Sequence, residues 1–467
     1  MKIDKCAEFI VNKLNENGYE AYIVGGCIRD IILGRVPKDW NICTEATPLI
    51  VHSIFEGLGL PIIDTGIGRG TVSIIMAPCD IDIIQQSNRL FPISELEANI
   101  YEISTFRKSR FNKKNREKFS NKIEDDLLCR DFTINAIAYN PNEGIIDICG
   151  GIQDINDKII RCIKEPRKRL SEDWIRVFRA IRFQAQLGFD MEENTKYWVN
   201  MLSNNASETS AERIQAELNI IVQAPYCEKA LIENQYAIGN VIPEIKPAIG
   251  FYQNNPHHKY DVYTHSVKAL NFLINQEVID YKIGLATLFH DIAKPLVYTI
   301  DDNGVYHFEG HPELGAKITE KILRRLNYPT DVIKEVTDIV RYHELRIKTK
   351  SGLKRVLNIV GSKTLKRILL LRQSDILAQS TYKIEEKIEN IRQCNLWYDE
   401  LIKDNKPFRV TDLNISGSDL IRLGYTPGPR FGRMLNEILN LVISGDILNT
   451  HDRLVDYIID HYDPNEI

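Results

Sequence analysis

Residues 21–44 read AYIVGGCIRDIILGRVPKDWNICT. The four residues Ala21–Val24 form a short strand pattern that runs into Gly25-Gly26, and a helix pattern comes next. Gly25-Gly26-x-x-Arg29-Asp30 therefore lies at a strand end before a helix. Bare backbone there lets a triphosphate approach the helix N-terminus, and Arg29 adds charge; a structural turn is the other reading. Lys38–Thr44 reads as a second strand, whose alternation sets Asp39 and Asn41 on one face. Two carboxylates at such positions would hold two magnesium ions for an in-line displacement at phosphorus.

Around this stretch, 467 residues suggest about three domains with length for buried cores. Hydrophobic residues at 43% and charged residues at 26% exclude a collagen-like or mainly disordered chain. No apolar run approaches the roughly 18 residues needed to cross a bilayer, and Met1–Glu20 lacks a signal-peptide layout, so a cytoplasmic protein without a membrane partner is expected. The nine cysteines form no C-x-x-C pair, which fits reduced thiols. A net charge of −5 gives no global attraction to nucleic acid, so such a partner needs local basic patches. One is Arg107–Lys118, with seven basic residues in twelve, read as a solvated or phosphate-contacting loop.

Cys6, Phe9, Ile10 and Leu14 carry helical spacing, while Thr71–Met76, Ile81–Ile84 and Ile100–Phe106 read as strands. From Ser171 onward long helices dominate. The expected class is α+β: a mixed α/β head with a small sheet, followed by largely all-α domains. Gln253–His258, with Pro256, reads as a linker entering a new domain.

The motifs Gly25–Asp30 and Asp39–Thr44, then Leu128-Cys129-Arg130-Asp131-Phe132-Thr133-Ile134-Asn135, Gly144-x-x-Asp147 through Gly150-Gly151-x-x-Asp154 to Arg161, Glu172-Asp173-x-x-Arg176, and Ser210–Ile214 stand in a fixed order. In this order they resemble the class II tRNA nucleotidyltransferase and bacterial poly(A) polymerase superfamily. The resemblance implies Mg2+ on Asp39 and on Asn41, which stands where the family has a second aspartate. It implies triphosphate binding by Gly25, Gly26 and Arg29, ribose and triphosphate contacts from Arg130, Asp131 and Asn135, and a nucleotide contact from Arg179. Asp173 and Arg176 would read the base. At i,i+3 on a helix this pair shares one face, where a carboxylate and a guanidinium fork read the edge of cytosine or adenine; an intrahelical salt bridge is the other reading. Cys129 and Arg69 also depart from the family pattern. Glu102, Asp80 and Asp82 are candidates for a third carboxylate, and of these Glu102 is assigned a catalytic role.

Seven of the ten histidines fall between His257 and His343. His265, His290-Asp291 and Asp375 follow the order of HD-domain phosphohydrolases, with Lys294 completing His-Asp-x-x-Lys as the phosphate contact. His311 and His343 add two ligands, and six in total suit a second metal. Imidazole plus carboxylate suits a transition metal or Mg2+, and such a site hydrolyses phosphoesters. His257, His258 and His307 are set aside as non-ligands. The tail Ile415–Val442 resembles the carboxy-terminal segment of HD-containing bacterial enzymes of the same superfamily.

The resemblance implies a head at 1–160, a helical neck at 161–245, an HD domain at 246–385 and a helical tail at 386–467. It implies addition of CTP and ATP to the tRNA 3′ end without a nucleic-acid template. The alternatives are a poly(A) polymerase, a CC- or A-adding enzyme, or an RNA-binding head weakened by Asn41 beside an active HD site. The oligomeric state is not legible.

Overall fold

Asp4 opens the first helix, Lys5–Glu16, by accepting a hydrogen bond from the Ala7 amide at 2.9 Å, and Cys6, Ile10 and Leu14 are fully buried along its inner face. The computed structural model describes residues 2–64, 66–86, 98–109, 118–276, 279–345, 347–403 and 410–463. Most of the basic Arg107–Lys118 segment, and the side chain of Asp82, lie outside the described residues. The chain divides into two units, Met1–Ser210 and Ala211–Ile467.

The first unit holds a seven-stranded sheet. Its strands are β1 (Ala21–Val24), β2 (Trp40–Thr44), β3 (Ile62–Ile63), β4 (Thr71–Met76), β5 (Asn99–Thr105), β6 (Ala138–Asn140) and β7 (Gly144–Ile146). Their order is β3-β4-β5-β2-β1-β6-β7. All neighbours are antiparallel except β2 and β5, which run parallel and place Asn41 opposite Glu102. The β4 pattern alternates half-buried and buried residues, as a strand with one covered face requires.

Ile81–Ile84, expected as a strand, lies in the helix Pro78–Gln86. Proline at its first position and Asp80 explain the change. The Asp80 carboxylate accepts from the Ala77 amide at 2.7 Å, the back-reaching half of a capping box. Asp80 is 3% exposed and committed to this cap, which removes it as a candidate third carboxylate.

The unit boundary falls inside the 161–245 segment read as a neck. Residues 161–210 belong with the head because Ile159–Ile160 pairs with Asp190–Met191, Phe132 bridges Cys162, and Arg169 donates to the Leu128 carbonyl at 2.6 Å. Residues 211–245 belong with the second unit: Tyr263 Oη donates to the Leu231 carbonyl, and Gly284 packs where an added Cβ would lie 2.7 Å from the Val222 carbonyl oxygen.

The second unit is built of helices, including Val262–Gln276, Tyr281–Phe289, His311–Arg325, Thr330–Tyr342 and Lys350–Ala378, the last broken at Gly361. Gln253–His258 is not a free linker. Gln253 is 2% exposed and accepts from Lys294 at 3.0 Å, and Asn255 donates to the Tyr306 carbonyl. After residue 410, three helices enclose their own core of Leu420, Leu435, Ile438, Leu439, Leu454 and Ile458.

Candidate active site and metal centre

The head carries a cavity of about 470 Å³ at the β1, β2 and β5 side of the sheet. Gly25 ends β1 with φ +86, and a Cβ there would stand 2.9 Å from Arg130 Nη1, so glycine is required for both the turn and the approach. Asp39, Asn41 and Glu102 line the same cavity. Asp39 and Glu102 are exposed and Asn41 is half-buried. Among the described residues none of these three side chains makes a hydrogen bond or ion pair. An all-oxygen donor set of two free carboxylates and one amide carbonyl suits Mg2+.

Facing these groups is a network of fixed cations. Arg29 donates to Asn135 Oδ1 at 2.7 Å and to Asp30 at 2.8 and 2.9 Å. Asp131 accepts from the Phe132 amide and Asn135 through one oxygen and from Arg179 at 2.6 Å through the other. Arg130 is clamped by Asp126 at 3.0 Å. Burial disfavours the Arg130 charge, but Asp126 overrides it and raises the guanidinium pKa. Arg29, Arg179 and Arg182 all lie against the Phe183 ring, the last at 4.0 Å from its centroid. Arg29, Arg107, Arg130, Arg179 and Arg182 thus give the cavity an anion-attracting wall.

The motif around Gly151 braces this wall from behind. Asp147 accepts from the Gly151 and Ile152 amides at 2.8 Å, and Asp154 joins Thr133 at 2.6 Å to Arg161 at 3.1 Å. A Cβ on Gly151 would meet the Thr133 carbonyl at 2.2 Å.

Asp173 and Arg176 do not share an open helix face. The helix begins at Ile175, leaving Asp173 before it, and Arg176 is 0% exposed. Arg176 donates to the Arg169 carbonyl at 2.6 Å, Glu172 at 2.8 Å and the Cys129 carbonyl at 3.2 Å. The guanidinium is drawn inward because Arg169 and Arg176 together satisfy carbonyls at the C-terminus of helix Ile123–Cys129, whose dipole favours cations. The arginines that reach the cavity are one and two turns later, Arg179 and Arg182. Sequence reasoning misses Asp126, Arg182 and Phe183. Asp126 stands four residues before Arg130, an ion-pair spacing, and Arg182 and Phe183 follow Arg179 at helical spacing.

In the second unit, five helices bring His265, His290, Asp291, His311, His343 and Asp375 together. Asp291 has two faces. Its Oδ2 lies 3.3 Å from His290 Nε2, 3.6 Å from His265 Nε2 and 2.6 Å from Lys294 Nζ; its Oδ1 lies 3.2 Å from His311 Nε2 and 3.6 Å from His343 Nε2. Asp375 Oδ1 lies 2.8 Å from His265 Nε2 and 3.7 Å from His290 Nε2. Three rings are fixed alike: Nδ1 of His290, His311 and His343 lies 2.8, 2.7 and 2.6 Å from the carbonyl three residues before. That contact places a proton on Nδ1 and turns Nε2 into the cluster, where each ring in its neutral form would offer a lone pair to a cation.

His290 Nε2 and Asp291 Oδ2 are buried without a well-aligned hydrogen bond, the condition a cation would relieve. Burial works against both charges. Asp291 and Asp375 nonetheless raise His290 to about 10, and the His290 and Lys294 charges hold Asp291 well below the usual carboxylate range. The two carboxylates thus demand positive charge at this point, and the nitrogen and oxygen donors fit a transition metal or Mg2+. Glu344, which sequence reasoning also misses, stands 3.9 Å from His311 Nε2 at the rim.

Comparison with known proteins places these geometries. The Poly A polymerase head domain family matches residues 21–161, and the tRNA nucleotidyltransferase domain 2 family matches residues 313–458. A CCA-adding enzyme of Leuconostoc mesenteroides is 30% identical over 456 residues, covering 96% of this chain and 94% of that enzyme. An A-adding tRNA nucleotidyltransferase of Deinococcus radiodurans is 29% identical over 336 residues, covering 70% of this chain and 76% of that enzyme. The crystal structure of the Bacillus stearothermophilus CCA-adding enzyme in complex with CTP shares the fold, with TM-score 0.68, 23% identity, and coverage of 97% of this chain and 96% of that one.

Proposed function

Since the chain belongs to the CCA-adding enzyme family, a family of nucleotidyltransferases, we propose that it builds the CCA end of tRNA from CTP and ATP without a nucleic-acid template. The observation that carries the site assignment is the β2–β5 register, which sets Asn41 beside Glu102 and within one cavity with Asp39, opposite the arginine wall. Asp39 and Glu102, with the Asn41 carbonyl, would hold Mg2+, which would supply charge neutralisation and lower the pKa of a hydroxyl near it. The primer 3′ oxygen bonds to the α-phosphorus, the bond to the bridging oxygen breaks, and pyrophosphate leaves with that electron pair.

Gly25 and Gly26 let the triphosphate lie against bare backbone. Arg29, Arg130, Arg179 and Arg182 neutralise its oxygens; Asn135 holds Arg29, Asp126 holds Arg130 and Asp131 holds Arg179, and Asp131 and Asn135 border the ribose. Asp173 reads the base, and Arg176 serves that selection from behind by fixing the first turn of the Ile175–Leu187 helix. Incorporation of labelled CTP and ATP into tRNA lacking its end tests the proposal, and product sequencing separates CCA addition from CC, A or poly(A) addition. A chain that binds tRNA and nucleotides but adds nothing would support the silent RNA-binding head, with Asn41 as the cause.

The buried cluster supports a second activity, metal-dependent phosphoester hydrolysis. His265, His290, Asp291 and Asp375 would hold one ion, and Asp291, His311 and His343 would hold a second. A divalent metal there supplies Lewis acidity for attack of water on phosphorus. Lys294 neutralises the Asp291 side of the site. Elemental analysis of the full chain, with release of phosphate from a phosphoester followed in parallel, tests this reading.

A further inference from the structure

We propose that Arg372 is the phosphate-holding side chain of the histidine–aspartate site, and that this site takes a phosphate ester of nucleotide size; the proposal rests on reading the cluster as a metal centre. Arg372 stands three residues before Asp375 in the Lys350–Ala378 helix, so the two share a face. Both line a cavity of about 800 Å³ with Lys294, His311 and His343. The cavity is larger than inorganic phosphate requires and within the range of small-molecule sites.

The half-buried Arg372 guanidinium differs from the buried arginines. Arg29, Arg169, Arg176 and Arg367 each pair with a carboxylate. Among the described residues Arg372 has no such partner. Its Nη1 is shut from water without an acceptor, and Nη2 reaches only Asn390 Oδ1, at a long 3.5 Å. The neighbouring Cys394 thiol is a weak acceptor. A half-buried guanidinium left short of acceptors, beside a cavity that Asp375 of the cluster also lines, matches the paired oxygens of a phosphate.

A second cation is held in position nearby. Gln379 donates to Asp375 Oδ2 at 3.0 Å and accepts from Lys387, whose ammonium also meets His257 at 2.9 Å. The ester's phosphate bridges from the Asp375 side of the cluster to Arg372, and its organic group fills the remaining volume towards Tyr306 and Phe308. Hydrolysis breaks the phosphorus–oxygen bond to that group, the oxygen of water bonds to phosphorus, and the departing alcohol takes up a proton.

The test uses the full chain loaded with Mn2+. Metal content comes from elemental analysis, and binding of inorganic phosphate and of AMP from calorimetry, with Asp291→Ala as the background for binding in the head. The wild-type chain should hold metal and bind both, AMP more tightly. Arg372→Met should keep its metal, weaken phosphate and AMP about tenfold or more, and leave CTP and ATP addition unchanged, with partial recovery in Arg372→Lys. Equal affinities in metal-loaded wild type and Arg372→Met would overturn the role of Arg372. Phosphate binding that AMP does not displace would overturn the nucleotide-sized ester. A wild-type chain that loads no metal would overturn the metal centre itself, and the inference with it.

Discussion

The two candidate sites are built on opposite plans. In the head, Asp39, just before β2, and Glu102, within β5, stand exposed with no partner among the described residues, and specificity of position comes from a wall of arginines across the cavity. In the second unit, His290 and Asp291 are each 1% exposed on the side chain, and six candidate ligands from five helices converge beneath the wall of a cavity of about 800 Å³. An open site suits a reaction whose two substrates arrive and leave at every step. A buried ligand set shields its charges from water while the cavity of about 800 Å³ beside it leaves room for an ester. The difference predicts that the two sites fail independently and by different means.

The largest effect expected is the loss of the buried ligand set. Asp291 faces both groups of histidines, so Asp291→Ala should empty both ion positions and abolish hydrolysis, whereas His290→Ala should empty one. Nucleotide addition should persist in both variants. Elemental analysis with both activities measured in parallel checks this, and loss of addition in a metal-free variant that remains folded would end the comparison.

Next in size is the open site's missing charge. Asn41 offers one neutral oxygen where a carboxylate would bind a hard dication more strongly, so Asn41→Asp should raise the addition rate on the order of 100-fold. Nucleotide binding and melting temperature should change little, since the position is only half-buried and its side chain makes no hydrogen bond among the described residues. An unchanged rate would mean that Asp39 and Glu102 alone suffice.

These contrasts also explain what the sequence can and cannot reveal. The six cluster residues are legible because a histidine followed by aspartate, with further ligands in fixed order, has few other uses, and the helices bring all six together. In the head, Gly25, Arg29, Asp39, Asn41, Arg130 and Asn135 do border one cavity. The choice of Glu102 over Asp80 needs the register, which pairs Glu102 with Asn41 while Asp80 caps a helix whose apolar run imitates a strand. The spacing misplaces Arg176 because i,i+3 presumes that both residues are helical. The carbonyls of Arg169 and Cys129 that draw its guanidinium inward are tertiary neighbours no local pattern displays.

Arg176 and Arg182 make that point measurable. Arg176→Ala should lower stability by about 2–3 kcal/mol, because Arg169 and Cys129 carbonyls lose a buried charged donor. Arg182→Ala should leave the melting temperature nearly unchanged and raise the KM for CTP and ATP about tenfold, since its guanidinium faces the cavity. Thermal unfolding and steady-state kinetics on both variants separate the two roles. The reverse pattern would restore Arg176 as a direct base reader.

The smallest effect concerns Asp80 and Glu102, two of the three acids that the sequence offers as a third carboxylate. Asp80 is buried and spends one oxygen on the Ala77 amide at the start of the Pro78–Gln86 helix, so Asp80→Ala should cost about 1 kcal/mol of stability, the worth of a helix cap. Addition in Mg2+ should be unaffected at temperatures where the variant is folded. Glu102→Ala should do the opposite: the residue is exposed, so stability should hold, while the magnesium concentration needed for half-maximal addition should rise several-fold because a free carboxylate has been taken from beside Asn41. Measuring both variants over a magnesium titration compares a structural acid with a catalytic one. A magnesium requirement that shifts with Asp80 and not with Glu102 would move the metal away from the β2–β5 pair to the end of β4, and the assignment of the head cavity would fall with it.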